Sequence, residues 1–365
     1  MATALDQIVQ VRITADQPPI DTLSFSNLCL IGPAPGSGEA TPPAVFSYQS
    51  LKDVSEAGWG EYAGETEGEV EIDPIYRAAQ VAFAQNPAPS RIVIAQYESG
   101  TSLNDALEAA LEYGGWYGIC PVGLSETEIG DLAAWVNGQE RIATLPFTDG
   151  SVSGDYYRCA YIYTGGEDAE GTLNEYIHVA YMAKFLSYRP GSEAWENKAL
   201  NLMKVHPLRS GDMSALEAGS VSYYLTVAGR NIVRGGKTSG NNGEWIDVVR
   251  FKDWLKNDIQ LRVFSLMLSN PKLPFTDDGI NMVRNQMEAA LLRGQEYGGV
   301  APDEYDADGN MIPGFKISVP LAVDIGDDKK AARILEDCRF SARLAGAIRI
   351  VEIFGELTYG LDAEE

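Results

Sequence analysis

From Leu23 onward, short apolar runs alternate with amphipathic ones, and this alternation restricts the fold more than any other feature of the chain. The runs "LSFSNLCLIG", "RIVIAQY", "WYGICPV" and "RIATLPF" read as strands, apolar along much of their length, so both faces of each must be covered. Between them stand "PIYRAAQVAFAQ", "SLNDALEAALEY" and "SETEIGDLAAWVNGQE", which are helical in period. Strands and helices in this order build a parallel-type α/β sheet with helices on both faces. Ser102 and Ser125 cap two of these helices, and Glu128 completes a capping box with Ser125. A strand "YYRCAYIYTG" and a helix "LNEYIHVAYMAKFLSY" finish this half before Pro190 and Gly191.

The second half has no simple βαβ repeat. "VSYYLTVAGRNIVRGGKTSGNNGEWIDVVR" reads as two strand runs flanking a Gly/Asn-rich turn, a long hairpin whose second run is "WIDVVR". "FKDWLKNDIQLRVFSLML" then places Phe251, Leu255, Ile259, Val263 and Leu266 at helical spacing. Thr276 caps a second helix with Ile280, Val283, Met287 and Leu291 on its inner stripe, closed by Gly298 and Gly299. The strand "FKISVP", a short helix "DDKKAARILED", the strand "CRFSARL" and a long last strand "AIRIVEIFGELTY" come after it, an α+β arrangement.

At the start, "QIVQVRITAD" sets Val9, Val11 and Ile13 on one side of a strand that Pro18 and Pro19 cut off from the rest of the chain. Its pairing partner is either its own domain or a neighbouring chain. A chain of 365 residues exceeds the usual single core, so more than one domain is expected. The boundaries fall at 1–16 for an N-terminal arm, 22–205 for an open α/β domain, 206–345 for an α+β domain and 346–365 for a C-terminal arm.

Composition excludes several partners. With 52 acidic against 28 basic residues the formal charge is -24, which repels a phosphate backbone, so nucleic acid is not expected. No window approaches the roughly 18 consecutive apolar residues of a membrane span, and "MATALDQIVQ" lacks the basic start and apolar core of a signal peptide. Cys29, Cys120, Cys159 and Cys338 have no CxxC spacing and read as reduced core residues.

Residues able to do chemistry do not converge. His178 lies in an aromatic helix and His206 precedes Pro207, without a metal-binding pattern around either. "LCLIGPAPGSG" offers Gly32, Gly36 and Gly38 after a strand, but not at GxGxxG spacing, and Pro33, Pro35, Pro42 and Pro43 interrupt the helix start a pyrophosphate needs. "DEYDADGN" begins like an EF-hand loop, yet position twelve is Phe315 instead of Glu, so a solvated acidic turn is expected. Asp277 and Asp278 sit where a helix N-terminus prefers negative charge, and the acidic run from Glu61 to Asp73 reads as an exposed loop. No cofactor, metal or catalytic residue is expected.

The run "GEWIDVVRFKDWLKNDIQLRVFSLMLSNPKLPFTDDGI", succeeded at a distance by "FSARLAGAIRIVEIFGELTY", resembles the C-terminal part of the contractile-tail sheath proteins of myophages. The branch in question is catalogued as a phage family of unknown function, and "ALDQIVQVRITAD" fits its opening strand. The acidic insertion "DEYDADGNMIPG" departs from the family pattern.

The resemblance implies a structural subunit: hexameric rings stacked helically around a tail tube, which contract and drive the tube through the host envelope for genome delivery. It implies as partners the chain itself, the tail tube protein, and baseplate and tail terminator proteins. The place would be the virion tail, assembled in the host cytoplasm. It further implies strand exchange between subunits, with Val9, Val11 and Ile13 at one end and Ile348, Ile350, Val351 and Ile353 at the other. Lys252, Lys256 and Arg262 stand on the polar side of the long helix, either as contacts to tube or neighbour or simply in solvent. Two other readings stay open: the sheath of a pyocin-like particle or secretion machine, and a soluble α/β enzyme binding a nucleotide at the carboxyl ends of the strands.

Overall fold

The computed structural model describes residues 24–35, 44–63, 70–97, 102–148, 154–165, 174–239 and 243–354. Strand β1 (Leu28–Gly32) is buried from end to end: Leu28 and Leu30 enter one core, Cys29 and Ile31 the core on the opposite face. This two-sided burial arises because side chains alternate across a strand, and it is why the run is apolar without interruption. After β1 come β2 (Val45–Tyr48), α1 (Leu51–Glu56), the small hairpin β3 (Glu61–Ala63) and β4 (Val70–Ile72), and α2 (Pro74–Phe83). Next along the chain are β5 (Ile92–Gln96), α3 (Leu103–Tyr113), β6 (Gly118–Pro121), α4 (Glu126–Asn137), β7 (Ile142–Phe147), β8 (Cys159–Tyr163) and α5 (Ile177–Leu186). The capping box at Ser125 forms as the sequence predicts.

The sheet does not stop at residue 205. Helix α6 (Ser210–Ala218) leads into β9 (Val221–Val227) and β10 (Arg230–Arg234), and these join an eight-stranded sheet of order β10-β9-β8-β7-β6-β1-β5-β2. The inner strands run parallel and the edge strands β2 and β10 antiparallel to their neighbours. The expected boundary at 205/206 therefore falls between strands of one sheet. Helices α2 and α5 cover one face, and α3, α4 and α6 the other.

Two local expectations are corrected. The hairpin turns at Ala228 and Gly229, both at positive φ (48° and 74°), which matches the twist of paired strands; the β9–β10 turn therefore does not fall in the Gly/Asn-rich run. "WIDVVR" is not a strand: Trp245 is the N-cap of helix α7 (Ile246–Ser269). Ile246, Val249, Arg250, Asp253 and Trp254 are all buried, a spacing that only a helix sends to one side. The β-branched residues suggested a strand, and burial against α5 and the sheet overrode that preference.

Arg250 is the largest charged group in the core, fully buried with no solvent contact. Its guanidinium pairs with the buried Glu193 carboxylate. It also donates to the carbonyls of Phe25 (2.9 Å), Phe185 (3.2 Å), Leu186 (2.9 Å) and Tyr188 (2.8 Å), joining α7 to the end of α5 and to the chain entering β1. One turn on, Asp253 accepts both arms of Arg158 (2.6 and 3.1 Å) and the Tyr117 hydroxyl (2.8 Å). The first half of α7 is thereby bolted to the sheet.

Arg250→Ala leaves Glu193 buried without its cation, and equilibrium urea unfolding of that variant is expected to show a loss of about 3–5 kcal/mol. Pairing Arg250→Met with Glu193→Gln removes both charges and is expected to recover most of that loss.

Candidate assembly interface

Helix α7 runs on past its buried half, and beyond Ile259 Phe264, Met267 and Leu268 are exposed. At about 1.5 Å per residue its 24 residues span on the order of 36 Å, so the far end projects from the sheet. Helix α8 (Asp277–Glu296) packs along it, capped by the Thr276 hydroxyl, which accepts from the Gly279 amide at 3.3 Å. Where the two helices meet the body, the Phe251 ring sits among Gly191, Gly294 and Gly299, and a Cβ on Gly299 would collide with it. Arg293 stacks over Trp254 and Tyr297 and pairs with Asp258 at 2.9 Å.

After α8 come the hairpin β11 (Glu304–Tyr305) and β12 (Met311–Ile312), then β13 (Phe315–Ser318), α9 (Asp327–Ala332) and β14 (Arg339–Ala342). β13 and β14 pair antiparallel, Phe315 opposite Ala342 and Ile317 opposite Phe340. Phe315, Ile317 and Ala342 rest against the main core, while Lys316, Ser318, Arg339 and Ser341 alternate with them. Among the described residues no third strand joins this pair, so its outer edges carry unpaired main-chain groups. Arg343 holds the junction, donating to Pro302 and Pro313 carbonyls and pairing with Glu304 at 2.8 Å.

The expected last strand is not formed within the described residues. Leu344 bridges Val300, the Ala345 amide donates to Gly299, and from Gly346 to Phe354 the chain has no strand partner. Ile348, Ile350, Val351, Ile353 and Phe354 are 82%, 71%, 70%, 86% and 92% exposed. A strand needs a second strand, and the described residues supply none there. Arg349 is the exception: its side chain is 26% exposed and turns back onto the body. Its Nε lies 3.2 Å from the buried Glu196 carboxylate, its guanidinium 5.4 Å from the Trp245 ring, and its Nη2 3.5 Å from Glu217. Glu196 also pairs with Arg234 at 3.3 Å. A cavity of about 80 Å³ lies beneath this contact, lined by Trp195, Glu196, Trp245, Asp247, Gly346 and Arg349. Burial pushes the Asp247 carboxyl up to about 6, with the Glu193 carboxylate adding to the effect.

The other residues singled out from sequence take separate places. Val9, Val11 and Ile13 lie outside the described residues. Lys252 is exposed, with its ammonium over the Tyr157 ring; Lys256 pairs with Glu140; Arg262 pairs with Asp258 at 2.7 Å. They share one helix but form no common unpaired patch. His178 is buried, its Nε2 2.7 Å from the Pro121 carbonyl, and burial pulls its pKa down to about 4. Gly32 packs against Val122 and Ile75, so the end of β1 is filled by protein where a phosphate loop would need room. Asp306 accepts from the Asp308 and Asn310 amides (3.0 and 2.8 Å), closing the β11–β12 turn. Among the described residues no group of three or more His, Cys, Asp or Glu is placed to hold a metal, and no helix is long and apolar enough to cross a membrane. Sequence reasoning missed the Arg349 contact; its one signal was a lone cation inside an apolar run, "AIRIVEIF".

Residues 246–357 match the family described as E217 tail sheath protein gp31-like, C-terminal domain, a span that opens at the first residue of α7. No curated protein sequence matches. Among solved structures the chain is similar to the helical sheath of the anti-feeding prophage in its contracted state, at 14% identity and a TM-score of 0.66, over 96% of this chain and 98% of that one. It is also similar to the sheath complex of PVC, an extracellular contractile injection system, in its contracted state, at 13% identity and 0.63, over 95% and 98%. A sheath tail protein from Desulfitobacterium hafniense aligns at 10% identity and 0.53, over 85% and 93%. The family and the structural neighbours are structural sheath proteins and not enzymes.

The raised Asp247 carboxyl makes a test of the cavity wall. Its folded-state pKa lies above the ordinary value of 3.8, so the stability it contributes is complete below about pH 4 and lost as pH rises through about 6. Asp247→Asn removes that loss: thermal unfolding of the variant against wild type is expected to show its advantage growing from pH 4 to pH 7.

Proposed function

We propose that this chain, whose residues 246–357 are a tail-sheath C-terminal domain, is the sheath subunit of a contractile phage tail. Its copies polymerise as hexameric rings stacked helically around a tail tube, between a baseplate and a tail terminator, and contract to drive the tube through the host envelope for genome delivery. On this reading the sheath is assembled in the host cytoplasm and carried in the virion. The observation that carries the proposal is the arm from Gly346 to Phe354, which leaves the family-matched domain with its apolar side chains uncovered, beside a two-stranded sheet with open edges. An exposed apolar strand and an open sheet edge are complementary halves of one joint, and in a polymer each subunit can supply both.

The energetics favour such a joint. Each of Ile348, Ile350, Val351 and Ile353 would contribute roughly 1.5–3 kcal/mol if fully buried on a neighbour, reduced by the cost of ordering the arm. Val9, Val11 and Ile13 give the other end of the chain the same capacity. Strand links of this kind allow subunits to rotate and slide as rigid bodies while staying connected. The likeness to the anti-feeding prophage and PVC sheaths supports a second reading equally well, in which the same subunit serves a phage-tail-like injection particle.

Deleting residues 1–16 is expected to leave a cooperatively folding protein that forms no tubes or rings by negative-stain microscopy; tubes unchanged by the deletion would refute strand exchange at that end. Because copies of charge -24 repel one another, light scattering is expected to report faster assembly as salt rises from about 10 to about 150 mM, where the screening length falls from about 30 to about 8 Å.

A further inference from the structure

From Gly346 to Phe354 every residue but one is exposed. Arg349 alone turns inward, onto Glu196, Glu217 and the face of Trp245, while its neighbours Ile348 and Ile350 point away from the body. Successive side chains of an extended segment project to opposite sides, so fixing Arg349 inward fixes Ile348 and Ile350 outward. A shift of one residue would reverse both and present the guanidinium to any strand acceptor. Glu196 makes the anchoring point specific: it is buried, it belongs to the segment between α5 and α6, and Arg234 from β10 already holds it in place. The anchor thus joins the arm to the α5–α6 connection, α6 and the start of α7, and not to the β13–β14 pair from which the arm emerges.

We infer that Arg349 is a positioning residue of the arm: it sets the direction in which the segment leaves the subunit and the face it offers to a second copy of this chain. The inference rests on the reading of the arm as a donated strand, but the geometry it asserts belongs to the single subunit. The arm is therefore presented in one register before any neighbour arrives, and the ordering cost of docking falls on the residues beyond Arg349.

The test uses the full chain, dilute and unassembled. Cys29, Cys120 and Cys159 are buried, so in a Cys338→Ser background spin labels attach at Arg230→Cys and at Ile350→Cys beside the anchor, and pulsed electron resonance reads the distance between sheet edge and arm. The otherwise unchanged chain is expected to give one narrow distance. Arg349→Ala is expected to lose it in favour of a broad distribution, with the thermal unfolding midpoint unchanged. Arg349→Gln, which keeps the side-chain bulk, is expected to lose it likewise and stands in if the alanine variant unfolds early. A distribution as narrow in both variants as in the parent overturns the inference. Parent protein that gives the narrow distance yet builds no tubes or rings would overturn the assembly reading alone and leave the anchor standing.

Discussion

The buried guanidinium of Arg250 organises the chain. A charge of that size cannot lie in a core without acceptors, and here main-chain carbonyls at the end of α5 and before β1, together with Glu193, accept from its two Nη groups. Those partners are distant in sequence, so the arginine finds them only when the α/β sheet is complete and α7 lies across it. A purely apolar contact would hold α7 there as well, but in no particular rotation. The directional bonds from Arg250, with Arg158 and Tyr117 converging on Asp253, select one. Everything beyond α7, including the small sheet and the arm, takes its orientation from that choice.

Two kinds of surface result. The sheet body is covered by helices on both faces and ends in antiparallel edge strands. The part built on α7 and α8 does the opposite: it ends in a projecting helix tip, a two-stranded sheet with open edges and an uncovered apolar arm. Such features destabilise a monomer or drive it to aggregate unless partners cover them in a defined geometry. Strong negative charge on the whole chain slows indiscriminate contact while leaving specific strand pairing available. This division between a finished body and an unfinished joint suits a subunit that is complete only among copies of itself.

Much of the body was legible in the sequence because its signals are local. Runs apolar on both faces give strands such as β1 and β5, and Ser125 with Glu128 gives a helix start. Other features depend on partners far along the chain. "WIDVVR" has β-branched residues at strand-like places, and only burial against α5 makes it the first turns of a helix. The stretch after Pro190 looks mixed because Glu193, Trp195 and Glu196 are there to receive Arg250, Arg234 and Arg349, cations from α7, β10 and the arm. The arm itself has the composition of a strand; what the described residues lack is the strand opposite. Most of the resemblance to sheath proteins lies in the region that the family match covers, residues 246–357, with the opening strand "ALDQIVQVRITAD" outside it.

The packing of Phe251 bears on how such a subunit would behave under load. At Phe251 an aromatic ring meets the backbones of Gly191, Gly294 and Gly299 directly, with no side chain of those residues between ring and main chain. Side chains are the compliant element of most packed joints, because they change rotamer before backbones move. A joint made of ring against main chain has little play. Force applied at the arm or at the tip of α7 would reach the sheet as displacement of the whole subunit, with little spent in bending the connection.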